Sequence, residues 1–165
     1  MNFIYRILDA LFNRIYDMRW RVKEKYYKSI MEIHSTVRLG EVILDKKNIK
    51  IMEHTYIRSG EIAAGEAKVT IGKNCAIGKN VSIRARTHDP LEPTLNDSTK
   101  IIKKIYKDIK IGDHVWIGNN VYIKEGVTIG DHVIIGANSV VTKNIGSGHV
   151  VGGVPAKILE SKDHD

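Results

Sequence analysis

A single cysteine, Cys75, and three prolines are all that this chain has of either residue. One thiol cannot build a disulfide framework, and its place inside a regular repeat points to a reducing compartment. No uninterrupted apolar run reaches the roughly seven residues of a signal-peptide core or the roughly 18 of a membrane span. The chain is therefore expected to stay in the cytoplasm. Signatures of RNA- or DNA-binding modules are missing as well, which sets nucleic acid aside. Yet 26 Lys and Arg stand against 19 Asp and Glu, a net charge of +7. Residues 1–30 hold seven basic and three acidic groups, so +4 of that excess is N-terminal. The partners left open are an anionic membrane surface and an anionic substrate.

What the chain does have is a repeat of six. In IGDHVWIGNNVYIKEGVTIGDHVIIGANSVVTKNI, residues 111–145, successive hexads open on Ile111, Ile117, Ile123, Ile129, Ile135 and Val141, four of them followed by glycine. The fifth places hold Val115, Val121, Val127, Val133, Ser139 and Ile145. A helix repeats apolar residues every three or four positions and a strand every two, so a strict six fits neither. It fits the coil of a parallel β-helix, an all-β solenoid. Each hexad is one short strand and one corner of a triangular prism, with the aliphatic residue in the axis and the small residue at the corner. Three hexads close a coil, so Ile111, Ile129 and Ser147 should be equivalent places on successive layers. Such layers lie about 4.8 Å apart.

Ahead of the repeat, Ile4, Ile7, Leu8, Leu11, Ile15, Met18 and Val22 fall on one helical stripe. Arg6, Arg14, Arg21, Lys25 and Lys28 lie largely off it, and Trp20, Tyr26 and Tyr27 stand near its end. This suits a helix packed on the coil stack or on a partner subunit. It also suits an interfacial helix in the headgroups of an anionic membrane. Between Ile33 and Ile62 the repeat is ragged, with Val37, Ile43 and Ile49 in one register and Ile51 and Ile57 in another. These read as early coils with corner insertions. AAGEAK at 63–68 reads as a turn that shifts register before Ile71, Ile77 and Ile83 resume the six.

Regularity fails from His88 to Asp108, where Asp89, Pro90 and Pro93 forbid continued pairing. The second half of this excursion, KIIKKIYKDIK, alternates apolar and basic residues, as an arm against a neighbouring subunit or a solvated loop would. Pro155 and the paired glycines 152 and 153 end the stack. The expected organisation is a helix at 1–30, a β-helix at 31–158 with the excursion loop at 88–108, and a polar tail at 159–165. His88, at the edge where coil turns to loop, reads either as a surface histidine or as a general base.

The run IGKNCAIGKNVSIRARTHDP, then a loop, then the hexads above and VVGGVPAKI, resembles the hexapeptide-repeat sugar O-acetyltransferases of the maltose, galactoside and polysaccharide type. It covers about Ile71 to Ile158. The resemblance implies a left-handed coil and a homotrimer, with each acetyl-CoA site between two subunits and no metal. In that family a histidine follows the isoleucine of an IG hexad at the same spacing that separates Ile71 from His88. His88 is thereby implied to be the catalytic base, taking the proton of an acceptor hydroxyl as its oxygen attacks the acetyl thioester. Asp89 matches a His-Asp pair of polysaccharide-type members, which implies that it orients the imidazole or touches the acceptor; shaping the turn before Pro90 is its other use. Trp116 is implied beside the reacting end and Ala137 where the pantetheine passes close to backbone. Thr142 and Lys143 are implied near the phosphates, and Lys157 within reach of the nucleotide.

Departures from the family are visible too. Gly146 and Ser147 replace its usual proline pair, and Arg58 lies near the place of an acceptor-binding asparagine. The expected acceptor is a sugar hydroxyl in a capsule, exopolysaccharide or O-antigen unit, with residues 1–30 able to hold the enzyme at the inner membrane face. Alternatives are an amino-sugar or xenobiotic acetyltransferase, or a β-helix that only binds partners. His114 and His132, one coil apart, imitate two ligands of a γ-class zinc carbonic anhydrase, but that site needs three histidines, two of them close in sequence across a corner, and this chain has no such pair.

Overall fold

Isoleucines at the first hexad place fill the axis of a triangular prism. Ile71, Ile77, Ile83, Ile111, Ile117, Ile123, Ile129 and Ile135 are each at most 1% exposed. The computed structural model describes residues 2–89 and 103–161: one helix, α1 (Asn2–Ile30), followed by short parallel strands on three faces. The first face carries Glu32–Ile33, Ile49–Ile51, Val69–Ile71, Ile109–Ile111 and Thr128–Ile129. The second carries Ala76–Ile77, Trp116–Ile117, Ile134–Ile135 and His149–Gly152, and the third Val81–Arg84, Tyr122–Ile123 and Val140–Val141. Tyr56–Ala63 bends round the corner between them, pairing with the second face through Ile57 and with the third through Ile62. About six turns result.

Register follows the repeat through the middle of the stack. Ile111 pairs with Ile71 on one side and Ile129 on the other, and Ile117 with Ile77 and Ile135. The step from Ile71 to Ile111 is one coil lengthened by the excursion. The last layer departs from expectation. Ile129 bridges Ile145 rather than Ser147, and Ile135 pairs with Val151. The corner after Val141 is thus shorter than the repeat requires, and Ile145 takes the place expected of Ser147. Ser147 sits at the corner instead, its Oγ accepting the Asp131 N–H at 3.0 Å.

The early coils differ in a similar way. Leu39, Val42 and Leu44 point inward, whereas Ile43 is 56% exposed. Arg38–Leu44 runs as one bent strand, so its side chains alternate and the spacing of six from Val37 does not apply. The turn at 63–68 does shift register, since Ile51 pairs with Ile71 where an unbroken repeat would have set it against Val69. At the far end the chain does not trail off after 158. Lys157–Ser161 returns antiparallel along His149–Gly152 and covers an edge whose backbone groups would otherwise be unpaired.

Corners need residues that tolerate the left-handed region, and histidine and asparagine supply them. His54, Asn74, His114 and His132 form one such column, and Asn80, Asn120 and Asn138 another. The Asn80 and Asn120 amides each donate to the next asparagine up the column, at 3.3 and 3.0 Å. His114 and His132 stack with ring centroids 4.7 Å apart. Their one-coil spacing is thus that of a corner column.

Cys75 is enclosed at a fifth place, its thiol donating to the Gly112 carbonyl at 3.2 Å, and burial pushes its pKa up. In the native protein it should resist a thiol-reactive dye and become reactive only after denaturation. Labelling of the folded chain at the rate of a free thiol would place Cys75 outside the prism.

α1 touches the prism through aromatic residues. Tyr27 is buried and its hydroxyl accepts the Leu44 N–H at 3.3 Å, while the Tyr16 hydroxyl bonds to Glu41. The aliphatic stripe does not pack on this chain's own coil stack: Ile7, Leu8, Leu11, Ile15, Met18 and Val22 are 45–65% exposed. No helix among the described residues is long and apolar enough to cross a membrane.

Candidate active site

The chain leaves the prism after Ala85, whose N–H donates to Ala63 O and whose carbonyl accepts the Lys107 N–H, both at 2.9 Å. Between these points Arg86–His88 pairs antiparallel with Lys104–Tyr106, so the excursion opens at Arg86, ahead of His88. This arm is anchored to the early coils. Arg86 Nη1 lies 3.5 Å from Asp45 Oδ2, and Asp45 Oδ1 accepts the Ala64 N–H at 2.8 Å. The Tyr106 ring covers Gly65, where a β-carbon would collide with it and where φ is +59°. The described part of the basic segment therefore folds on its own chain; residues 90–102 lie outside the described residues.

His88 is exposed, in a polar pocket of about 290 Å³ lined by Arg84, Arg86, Thr87, Lys104 and Tyr122. The Asp89 N–H donates to Lys103 O at 3.0 Å, and its carboxylate lies 3.8 Å from the Lys103 ammonium. Arg84 and Tyr122 escape a reading of hexads because the repeat marks inward places and these residues are not among them, and Lys104 lies on the arm, where the hexads are interrupted.

Trp116 and Ala137 meet in a groove of about 500 Å³ on the second face. Its lining includes four further small residues, Ala76, Gly78, Gly118 and Gly136. A β-carbon on Gly118 would sit 2.6 Å from the Ala137 nitrogen, so the floor stays flat. Such a floor accepts an extended pantetheine-like chain against backbone. At Tyr56 and Arg58 the groove meets a second cleft of about 820 Å³, between α1 and the prism, where Tyr16, Asp17, Trp20 and Glu41 converge. The sequence signal for the α1 wall of this cleft is the placing of Tyr16 and Trp20, four residues apart, on a helix side distinct from the aliphatic stripe.

The sequence-predicted residues thus fall into separate places. Trp116 and Ala137 share the second-face groove. His88 and Asp89 belong to the arm beside the third face. Thr142 and Lys143 are exposed in the corner after the third face, and Lys157 is exposed at the start of the last strand. The His88 pocket and the Trp116 groove have no lining residue in common. Among the described residues no group of three His, Cys, Asp or Glu side chains is placed to hold a metal ion.

Comparison with known proteins fits this architecture. Residues 108–143 match the bacterial transferase hexapeptide (six repeats), and residues 68–83 the hexapeptide repeat of succinyl-transferase. A hexapeptide-repeat acetyltransferase of Vibrio cholerae O1 biovar eltor, solved with acetyl-coenzyme A, is 31% identical with a TM-score of 0.74, covering 86% of this chain and 78% of that one. The chain belongs to the hexapeptide-repeat acetyltransferase family. The winding of this family member is accordingly left-handed. A galactoside acetyltransferase solved with coenzyme A is similar at 32% identity and a TM-score of 0.69, covering 84% and 68% of the two chains. Polysialic acid O-acetyltransferase of Escherichia coli O1:K1 is 38% identical over 133 residues, 79% of this chain and 42% of that protein. The chain spans roughly half the length of the curated relatives it matches, 57% in the case of galactoside O-acetyltransferase of E. coli K12.

Proposed function

We propose that the protein is an acetyl-CoA-dependent O-acetyltransferase acting on a sugar hydroxyl, working as a homotrimer. One observation carries the reading: a flat groove at Trp116 and an aromatic, carboxylate-bearing cleft at Trp20 open into each other at Tyr56 and Arg58. The first has the form of a site for a thioester on a thin extended arm. The second has stacking faces and hydrogen-bond acceptors, the chemistry that recognises a pyranose. Ala137 lets the pantetheine lie against backbone, Thr142 and Lys143 meet the phosphates, and Lys157 reaches the nucleotide.

His88 supplies the proton transfer. Its imidazole takes the proton of the acceptor hydroxyl while that oxygen attacks the acetyl carbonyl; the tetrahedral intermediate collapses and expels the CoA thiolate, which receives the proton back. No acyl-enzyme is required, because both substrates are held together and the thioester is already activated. Arg84 and Lys104 bring positive charge to the pocket where the oxyanion develops. Asp89, tied to Lys103, is a positioning residue for the arm that carries His88. Because His88 and the Trp116 groove lie on different sides of one prism, the base reaches the thioester from a neighbouring subunit.

The acceptor in this reading is a unit of a bacterial surface polysaccharide. The test is thiol release from acetyl-CoA with a panel of monosaccharides, oligosaccharides and lipid-linked glycans. Release should need a hydroxyl acceptor and should persist in chelator. Transfer only to amines would favour the amino-sugar alternative, and no transfer to any acceptor would favour a binding scaffold.

A further inference from the structure

α1 has two working faces, and only one is used by the prism. At about 100° per residue, Leu8, Leu11, Ile15, Met18, Val22 and Tyr26 share a sector, while Tyr16, Trp20 and Tyr27 lie roughly 130° further round. The second set docks the helix, and the first is exposed on a helix of 29 residues. Charge is sorted about the exposed sector. Arg14, Arg21 and Lys25 border one side of it and Arg19 the other, whereas Asp9, Asp17 and Glu24 lie on the far side, with Arg6 among them. Lys28 is paired to Glu24 at 2.8 Å, and Lys23 turns to the docking face, over the Trp20 ring at 4.6 Å.

We infer that this face of α1 docks on an anionic lipid bilayer, with the aliphatic stripe among the acyl chains and the bordering cations among the headgroups. An apolar stripe with basic margins and its acids turned away is complementary to an anionic interface. A second copy of α1 is the poorer occupant, because facing stripes would bring the same bordering cations against one another. Docking by the aromatic face leaves the stripe free without unfolding anything. The inference does not depend on acetyl transfer, although it would place the proposed site beside lipid-linked glycans.

The experiment is co-sedimentation of the full chain with phosphatidylcholine vesicles containing roughly one third phosphatidylglycerol, and with phosphatidylcholine alone, in the absence of acetyl-CoA. The protein should pellet with the anionic vesicles only, and salt should release it. The double variants Leu11→Gln/Val22→Gln and Arg14→Gln/Arg21→Gln should each lower partitioning about tenfold or more. Both should keep the assembly mass by light scattering and the β-rich circular dichroism of the parent. A parent chain that stays in the supernatant overturns the inference, as do variants that bind like the parent. A change of assembly mass in Leu11→Gln/Val22→Gln would put a second copy on the stripe and overturn it too. Failure of acetyl transfer would leave these readings untouched, since none of them uses the reaction.

Discussion

His88→Ala is expected to lower acetyl transfer by about 10² to 10⁴, the usual contribution of a positioned general base. The loss should appear in turnover, with binding of acetyl-CoA retained, because His88 lies outside the Trp116 groove. Folding should be unaffected. His88 is exposed on the arm, whereas the arm's hold on the prism comes from Arg86 with Asp45 and from Tyr106 over Gly65. Steady-state kinetics with circular dichroism check this. Full turnover in His88→Ala would put the base elsewhere.

The second large effect is expected at Ala137. Its side chain is exposed at the groove rim, so a larger residue there meets the ligand site and not the core. Ala137→Trp should fill the channel above Gly118 and weaken acetyl-CoA binding by about a hundredfold or more, since an obstructed groove loses both contact area and fit. Thermal stability should move little, as substitutions at exposed positions usually stay within about 0.5 kcal/mol. Calorimetric titration with acetyl-CoA reads the first quantity and a melting curve the second. Unchanged affinity would mean that the thioester lies on another face.

Much of this was legible from spacing. From Ile111 to Val141 every inward residue is announced by its period, because each coil there has three equal sides. The period misleads where a corner changes length. Ile43 is exposed because Arg38–Leu44 turns its corner as one continuous strand, and Ile145 displaces Ser147 because the last corner is short. Helical spacing marked the stripe of α1, yet did not say that Tyr16, Trp20 and Tyr27 would dock the helix and leave the aliphatic side bare. The cleft of Trp20, Glu41 and Arg58 was hidden for another reason. Beyond Tyr16 and Trp20 on α1, its residues come from three successive coils, and no local pattern relates them to the helix. The candidate base was legible only through resemblance, since an exposed histidine beside a loop carries no signal of its own.

The central claim is that thioester groove and base meet between subunits, and a mixing experiment tests it directly. His88→Ala and Ala137→Trp chains, each inactive alone, are coexpressed in equal amounts under different affinity tags, and assemblies carrying both tags are assayed for acetyl transfer. If each site combines His88 of one subunit with the groove of the next, every closed trimer that carries both chains keeps one intact site in its ring, about one third of the sites assayed. Activity of that order is the predicted result. If mixed assemblies form and stay as inactive as the parent variants, each chain builds its whole site alone, and the account is contradicted.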